Sequence, residues 1–141
     1  MFKKGFTLIE LLVVVGIIGI LASLVLLNTQ KVRLQAHDSQ IQSSMHQLRN
    51  AAELSYSENE DYDDVCDGGD NTVNNAGLFG RIETDIEDDN GSQNVLCYEG
   101  ADKKDFAASS PLRYRTGKHW CIESAGLSLE INNPITLSRC Q

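Results

Sequence analysis

The sequence predicts an α+β fold. A long N-terminal helix, membrane-spanning in its first half and amphipathic in its second, packs against a small antiparallel β-sheet. Three observations predict it: an apolar run over residues 6–27, a helical stripe that continues from it without a breaker, and short β-rich segments between glycine turns near the C-terminus. The 141 residues are 41% hydrophobic with a mean hydropathy of −0.26, but that mean hides a segregation. From Phe6 to Leu27, 17 of 22 residues are apolar, against about a third of the remainder. A polar body of this size has a small core and gains from covalent staples. The formal charge of −8 disfavours general nucleic-acid affinity, which needs cations to displace phosphate counterions. Composition also excludes a collagen-like chain, a coiled coil throughout and a wholly disordered chain.

The apolar run comes first in the chain. Its 22 residues would rise about 33 Å as a helix, enough to cross a hydrocarbon core of about 30 Å. Lys3 and Lys4 precede it and no cation follows until Lys31, so the positive-inside rule keeps the short N-terminus in the cytoplasm and exports the body. A secretory signal peptide would want a shorter apolar region and a small-x-small cleavage site; the Ile-Leu-Ala at 20–22 puts a bulky residue where a small one belongs. Neither a signal peptide nor a plain anchor explains Glu10. A carboxylate inside an apolar span is costly and is a functional residue by default, although one near the end of the span can reach the interface.

Lys3, Lys4 and Gly5, followed by Phe6, Thr7, Leu8, Ile9 and Glu10 and then a β-branched-rich apolar run, resemble the prepilin signature of type IV pilins, type II secretion pseudopilins and competence pilins. The specific part covers about residues 3–27. The resemblance implies cleavage between Gly5 and Phe6 by a prepilin peptidase and N-methylation of the new Phe6 terminus. It implies a pilin-like fold and assembly through Glu10, whose carboxylate meets the Phe6 α-ammonium of a neighbouring subunit. The implied partners are further copies of the chain in a helical homopolymer, the peptidase, an inner-membrane assembly platform, and membrane lipid before assembly. Cleavage would leave the ammonium four residues before Glu10, one turn away on the same helix face, and pairing two buried charges offsets much of their desolvation.

Beyond Leu27 no proline occurs before Pro111 and no glycine between Gly19 and Gly68. Helix-favouring residues dominate to about Tyr56. Leu34, Ile41, Met45, Leu48, Ala52 and Tyr56 form one stripe, with Gln35, Asp38, Gln42, His46, Arg49 and Glu53 opposite it. The expected organisation is a leader at 1–5, a transmembrane and polymerisation half-helix at 6–27, an amphipathic half-helix at 28–58 and a stapled globular head at 59–141. Gly16 and Gly19 are weak helix points. Many major pilins carry a proline shortly after the second such glycine, and residues 25–29 here have none.

From Glu53 to Asp105 there are 16 acids against Arg81, Lys103 and Lys104. Residues 61–77 are turn-rich, and 81–88 form a short helix or strand. Residues 112–116, 119–123 and 127–131 read as three strands joined by turns at Gly117 and Gly126, with Ser109, Ser110 and Pro111 in a loop. The stretch from Trp120 to Gly126 also resembles C-terminal strands of some small bacterial pilins.

Cys66, Cys97, Cys121 and Cys140 all lie on the exported side, and none forms a Cys-x-x-Cys pair, so disulfides are favoured over zinc. Three pairings are open. Cys66–Cys97, closing the acidic loop, and Cys121–Cys140, tying the tail to a strand, are favoured; each contributes about 2–4 kcal/mol. Two carboxylate clusters are candidate calcium ligands: Asp61, Asp63, Asp64, Asp67 and Asp70, and Asp85, Glu87, Asp88 and Asp89. Neither follows the EF-hand order, and a solvated acidic surface is the simpler reading. Arg113, Tyr114, Arg115, Lys118, His119 and Trp120 form a basic-aromatic patch that would suit DNA, though strand alternation explains it as well. Asn90 sits in an extended glycosylation sequon, and His37 and His46 need no role. No phosphate loop, His-x-x-x-His pair or nucleophile elbow supports an enzyme.

The sequence thus reads as a filament subunit, placed in the inner membrane with its N-terminus cytoplasmic before assembly and in an extracellular pilus or periplasmic pseudopilus afterwards. A type II secretion pseudopilin, a DNA-uptake minor pilin and a non-polymerising anchored binding protein are the alternatives.

Overall fold

The computed structural model describes residues 5–141, with the backbone alone at residues 25–28. Most of the expected leader, Lys3 and Lys4 included, lies outside the described residues. The chain divides into two units, Met1–Arg33 and Leu34–Gln141. The boundary falls inside the long helix α1, Leu8–Asn59.

In the first unit α1 is apolar on every side from Leu11 to Ala22, and its described side chains from Leu8 to Leu24 are exposed. By length and composition α1 can cross a membrane.

The second unit holds the last part of α1, a second helix α2 (Gly77–Asn90) and six strands. The strands are β1 (Cys66–Asp67), β2 (Thr72–Val73), β3 (Leu96–Glu99), β4 (Phe106–Pro111), β5 (His119–Glu123) and β6 (Ser128–Ile131). They form one antiparallel sheet in chain order, a meander. The predicted stripe supplies the helix side of the core: Ile41, Met45, Leu48 and Ala52 are fully buried. They share one cluster with Phe106, Ala108 and Ile122 of the sheet and with Ile82 and Ile86 of α2. This is the expected helix-on-sheet layer pair.

The sheet also has a second buried face. Ala107, Cys121, Ile131 and Ile135 form a separate cluster, with Leu96, Tyr98, Leu129 and Cys140 packed against it. Strand alternation sends Phe106, Ala108 and Ile122 to one side and Ala107, Cys121 and Ile131 to the other. The two disulfides divide the same way. Cys66–Cys97 joins residues of the helix-side cluster, and Cys121–Cys140 ties the C-terminal tail over the far face. These are the two favoured pairings.

Two strand assignments are corrected. Residues 112–116 are not a strand, and Ser109, Ser110 and Pro111 are not a loop but the end of β4. The backbone N–H groups of Arg113, Tyr114 and Arg115 donate to the Asp38 carboxylate at 2.7, 3.0 and 3.3 Å, so they leave the ladder. Ser109 and Ser110 are fully buried and bonded: Ser109 Oγ accepts from Ile135 N, and Ser110 Oγ from the Asn90 side chain. Residues 81–88 are helical within α2, which ends at Gly91 in the left-handed region (φ 88°).

Candidate functional site

The start of α1 is built from four residues. Gly5 and Phe6 precede the helix and are exposed. Thr7 occupies the N-cap position and Glu10 the third helical position. The Glu10 carboxylate accepts from Thr7 N at 2.9 Å and from Thr7 Oγ1 at 2.7 Å, while Glu10 N donates to Thr7 Oγ1 at 3.4 Å. This is a capping box, in which each partner satisfies an N–H that has no acceptor inside the helix. A carboxylate there also sits at the positive end of the helix dipole. Glu10 is therefore held at the helix mouth, one turn from the Gly5–Phe6 peptide bond. Thr7 was not singled out from sequence; the Thr-x-x-Glu spacing ahead of an apolar run is the signal that marks it.

Several of the other candidate residues have local partners. Among the described residues no three His, Cys, Asp or Glu side chains converge as metal ligands. Of the calcium candidates, Asp89 bonds His37 Nδ1 at 2.8 Å, joining α2 to α1, and Asp63 pairs with Lys103. In the basic-aromatic patch, Arg115 pairs with Glu130, and Trp120 packs against the helix-side core. The Asn90 side-chain nitrogen is buried and donates to Gln93 O at 2.8 Å and Ser110 Oγ at 3.0 Å, so the folded chain offers no glycan acceptor at the sequon. Asp38 was placed opposite the apolar stripe and is buried. Arg49 was expected there too, yet its guanidinium reaches Gly126 O at 2.8 Å and the Ser128 hydroxyl, clamping α1 to the β5–β6 turn.

Residues 1–26 match the prokaryotic N-terminal methylation motif. Over this segment the chain is similar to proteins processed and methylated at their N-termini. A type IV major pilin protein, PilA of Myxococcus xanthus, is 39% identical over 64 residues, which are 45% of this chain and 29% of that protein. The chain thus spans less than a third of that relative's length. No solved structure matches the chain at comparable significance. The matched segment includes the apolar first part of α1, the helix that is long and apolar enough to cross a membrane.

Proposed function

We propose that this chain is a prepilin, cut between Gly5 and Phe6, methylated at Phe6 and built into a helical filament through its apolar half-helix. The observation that carries the proposal is Glu10: a carboxylate held at the mouth of an apolar helix, one turn from the expected new N-terminus. Before assembly the helix crosses the inner membrane with its short N-terminus in the cytoplasm, and the Thr7 capping box supplies the Glu10 carboxylate with donors. At the assembly platform, the ammonium of a neighbouring Phe6 replaces or joins those donors. The carboxylate–ammonium pair then sets where along α1 two subunits meet.

The chain lacks the proline that many major pilins carry within residues 25–29, and this favours a minor subunit or a secretion pseudopilin as the second reading. Electron microscopy of sheared surface fibres separates a pilus from a periplasmic piston. The filament reading is tested by comparing wild type with Glu10→Leu for two readouts, the intact mass of the membrane form and the yield of fibres. Wild type is expected to have lost residues 1–5 and gained a methyl group, and Glu10→Leu to be processed but to yield at least tenfold less fibre. A full-length, unmethylated wild-type chain, or undiminished fibres from the variant, would overturn the reading.

A further inference from the structure

Helix α2 buries a carboxyl group. Its core side is Ile82, Glu83, Ile86 and Asn90. Glu83, between two isoleucines that belong to the helix-side cluster, is only 9% exposed. A glutamate so placed nearly always has a partner. Among the described residues no hydrogen bond or ion pair reaches this one, and the charges that act on it, Glu87 one turn on and Asp67 of β1, have its own sign. Asp67 cannot withdraw. Its Oδ1 accepts from Gly69 N at 2.9 Å, the adjoining Cys66 is fixed to β3 by its disulfide, and Cys66 N donates to Glu99 Oε1 at 3.0 Å. Ionising Glu83 in the closed fold therefore sets like charges close together where water is scarce. Protonating it leaves a neutral group on an apolar face.

A second contact of α2 responds to protons with the same sign. Asp89 meets His37 Nδ1 of α1 at 2.8 Å. A protonated imidazole there pairs with the carboxylate, and a neutral one keeps only a hydrogen bond. The remaining neighbours do not oppose this. Strand β2 brings Thr72 and Val73 and β4 brings Ser110, none of them titratable, while the guanidinium of Arg113 lies beside the C-cap Gly91 and keeps its charge throughout. On α2 itself Arg81, Asp85 and Asp88 are exposed. The Asn90 bonds to Ser110 Oγ and Gln93 O carry no charge and hold the helix equally at every pH.

We propose that α2 is a flap that acid closes and alkali opens: ionisation of Glu83 against Glu87 and Asp67, with loss of the His37 proton, lifts residues 77–90 from the β1–β2 hairpin and uncovers the apolar face beneath Ile82 and Ile86. The sign follows from linkage. Burial first, and then the Glu87 and Asp67 charges, raise the closed-state pKa of Glu83 to about 7, and opening returns the group to water and to the ordinary carboxyl range. Each opening then releases a proton, so the opening constant climbs by up to about tenfold per pH unit between about 4.5 and 7 and levels off above. His37 adds to the climb in the same direction. Such a flap works within the folded head whether or not the chain assembles.

Hydrogen exchange of the full-length protein in detergent, corrected for the intrinsic exchange rate at each pH, reads the opening. Between about pH 5 and pH 8 the amides of residues 81–90 are expected to lose protection at least about tenfold, while those of β4 and β5 change less than about threefold. Glu83→Gln is expected to remove most of that loss, and His37→Gln added to it the remainder. Glu87→Gln takes away one repelling charge and leaves Glu83 in place, so its loss of protection is expected to level off at a lower pH than in wild type. No loss in wild type, a loss in β4 and β5 equal to that in α2, or an undiminished loss in Glu83→Gln would overturn the flap.

Discussion

On a helix flank beside Gln35, Gln42 and Arg49, a lone carboxylate reads as solvated, because Asp is rarely buried without partners. Asp38 is nonetheless only 5% exposed, and its partners are peptide N–H groups 75 to 77 residues away, which sequence spacing cannot reveal. Asp38→Ala leaves three inward-facing N–H groups without an acceptor. At about 1–3 kcal/mol for each unsatisfied group, with water recovering part, the expected loss is about 3 kcal/mol or more. Asp38→Asn keeps one carbonyl acceptor and is expected to lose less. Denaturant titration of full-length protein in detergent measures both; a loss under about 0.5 kcal/mol for Asp38→Ala would mean that the loop re-pairs without the helix. Glu83 makes a pH prediction. Burial on α2, with the Glu87 and Asp67 charges nearby, raises its pKa from 4.5 to about 7. A carboxyl whose folded pKa is raised binds its proton more tightly in the native state, so folding gains below pH 4.5 and loses that gain as pH rises through about 7. Glu83→Gln fixes the uncharged form. Its melting temperature is expected to exceed wild type at pH 8 and to match it near pH 4.5; equal melting at both would show Glu83 ionised and solvated.

How much could be read in advance differs by element, and the reason is physical. Helix α1 was legible because a stripe with period 3.6, unbroken by glycine or proline for nearly 50 residues, has few other solutions. Strand β5 was legible because Trp120 and Ile122 alternate with Cys121 between turns at Gly117 and Gly126, where φ is 80° and 91°. Strand β4 was missed because it is central and covered on both faces. Such a strand loses its alternation, and here it is built from Phe106, two alanines, two serines and Pro111, none β-branched. Small residues suit that position: Ala108 lies under α1 while Ala107 lies under the C-terminal tail. The strand read at residues 112–116 has the right alternation, but its amides are claimed by a side chain from another element. At the helix start, Glu10 stood out because charge is rare in an apolar run, whereas Thr7, equally part of the capping box, is unremarkable by composition.

At the scale of the whole head, the two disulfides stabilise different things. Both restrict the unfolded chain, and Cys66–Cys97 closes the longer loop, 31 residues against 19. Loop entropy alone makes its removal the more costly, by about 0.4 kcal/mol on a base of about 3 kcal/mol. Coverage of the sheet ranks them the other way. Cys66 and Cys97 lie on strands that the meander, α1 and α2 hold in place. Cys140 anchors a tail that belongs to no strand and meets the body chiefly through Ile135, the Ser138–Asp105 contact and Cys140 N on Glu123. Without the Cys121–Cys140 bond that tail frays, Ile135 returns to water, and the far face over Ala107 and Ile131 opens. Exposing one buried isoleucine alone forfeits about 1.5–3 kcal/mol, several times the entropic difference. Cys121→Ser with Cys140→Ser is therefore expected to destabilise the full-length protein more than Cys66→Ser with Cys97→Ser, with hydrogen exchange rising first in β5 and β6. The reverse order in denaturant titration would mean that the tail's own contacts hold it and that the bond acts through chain entropy alone.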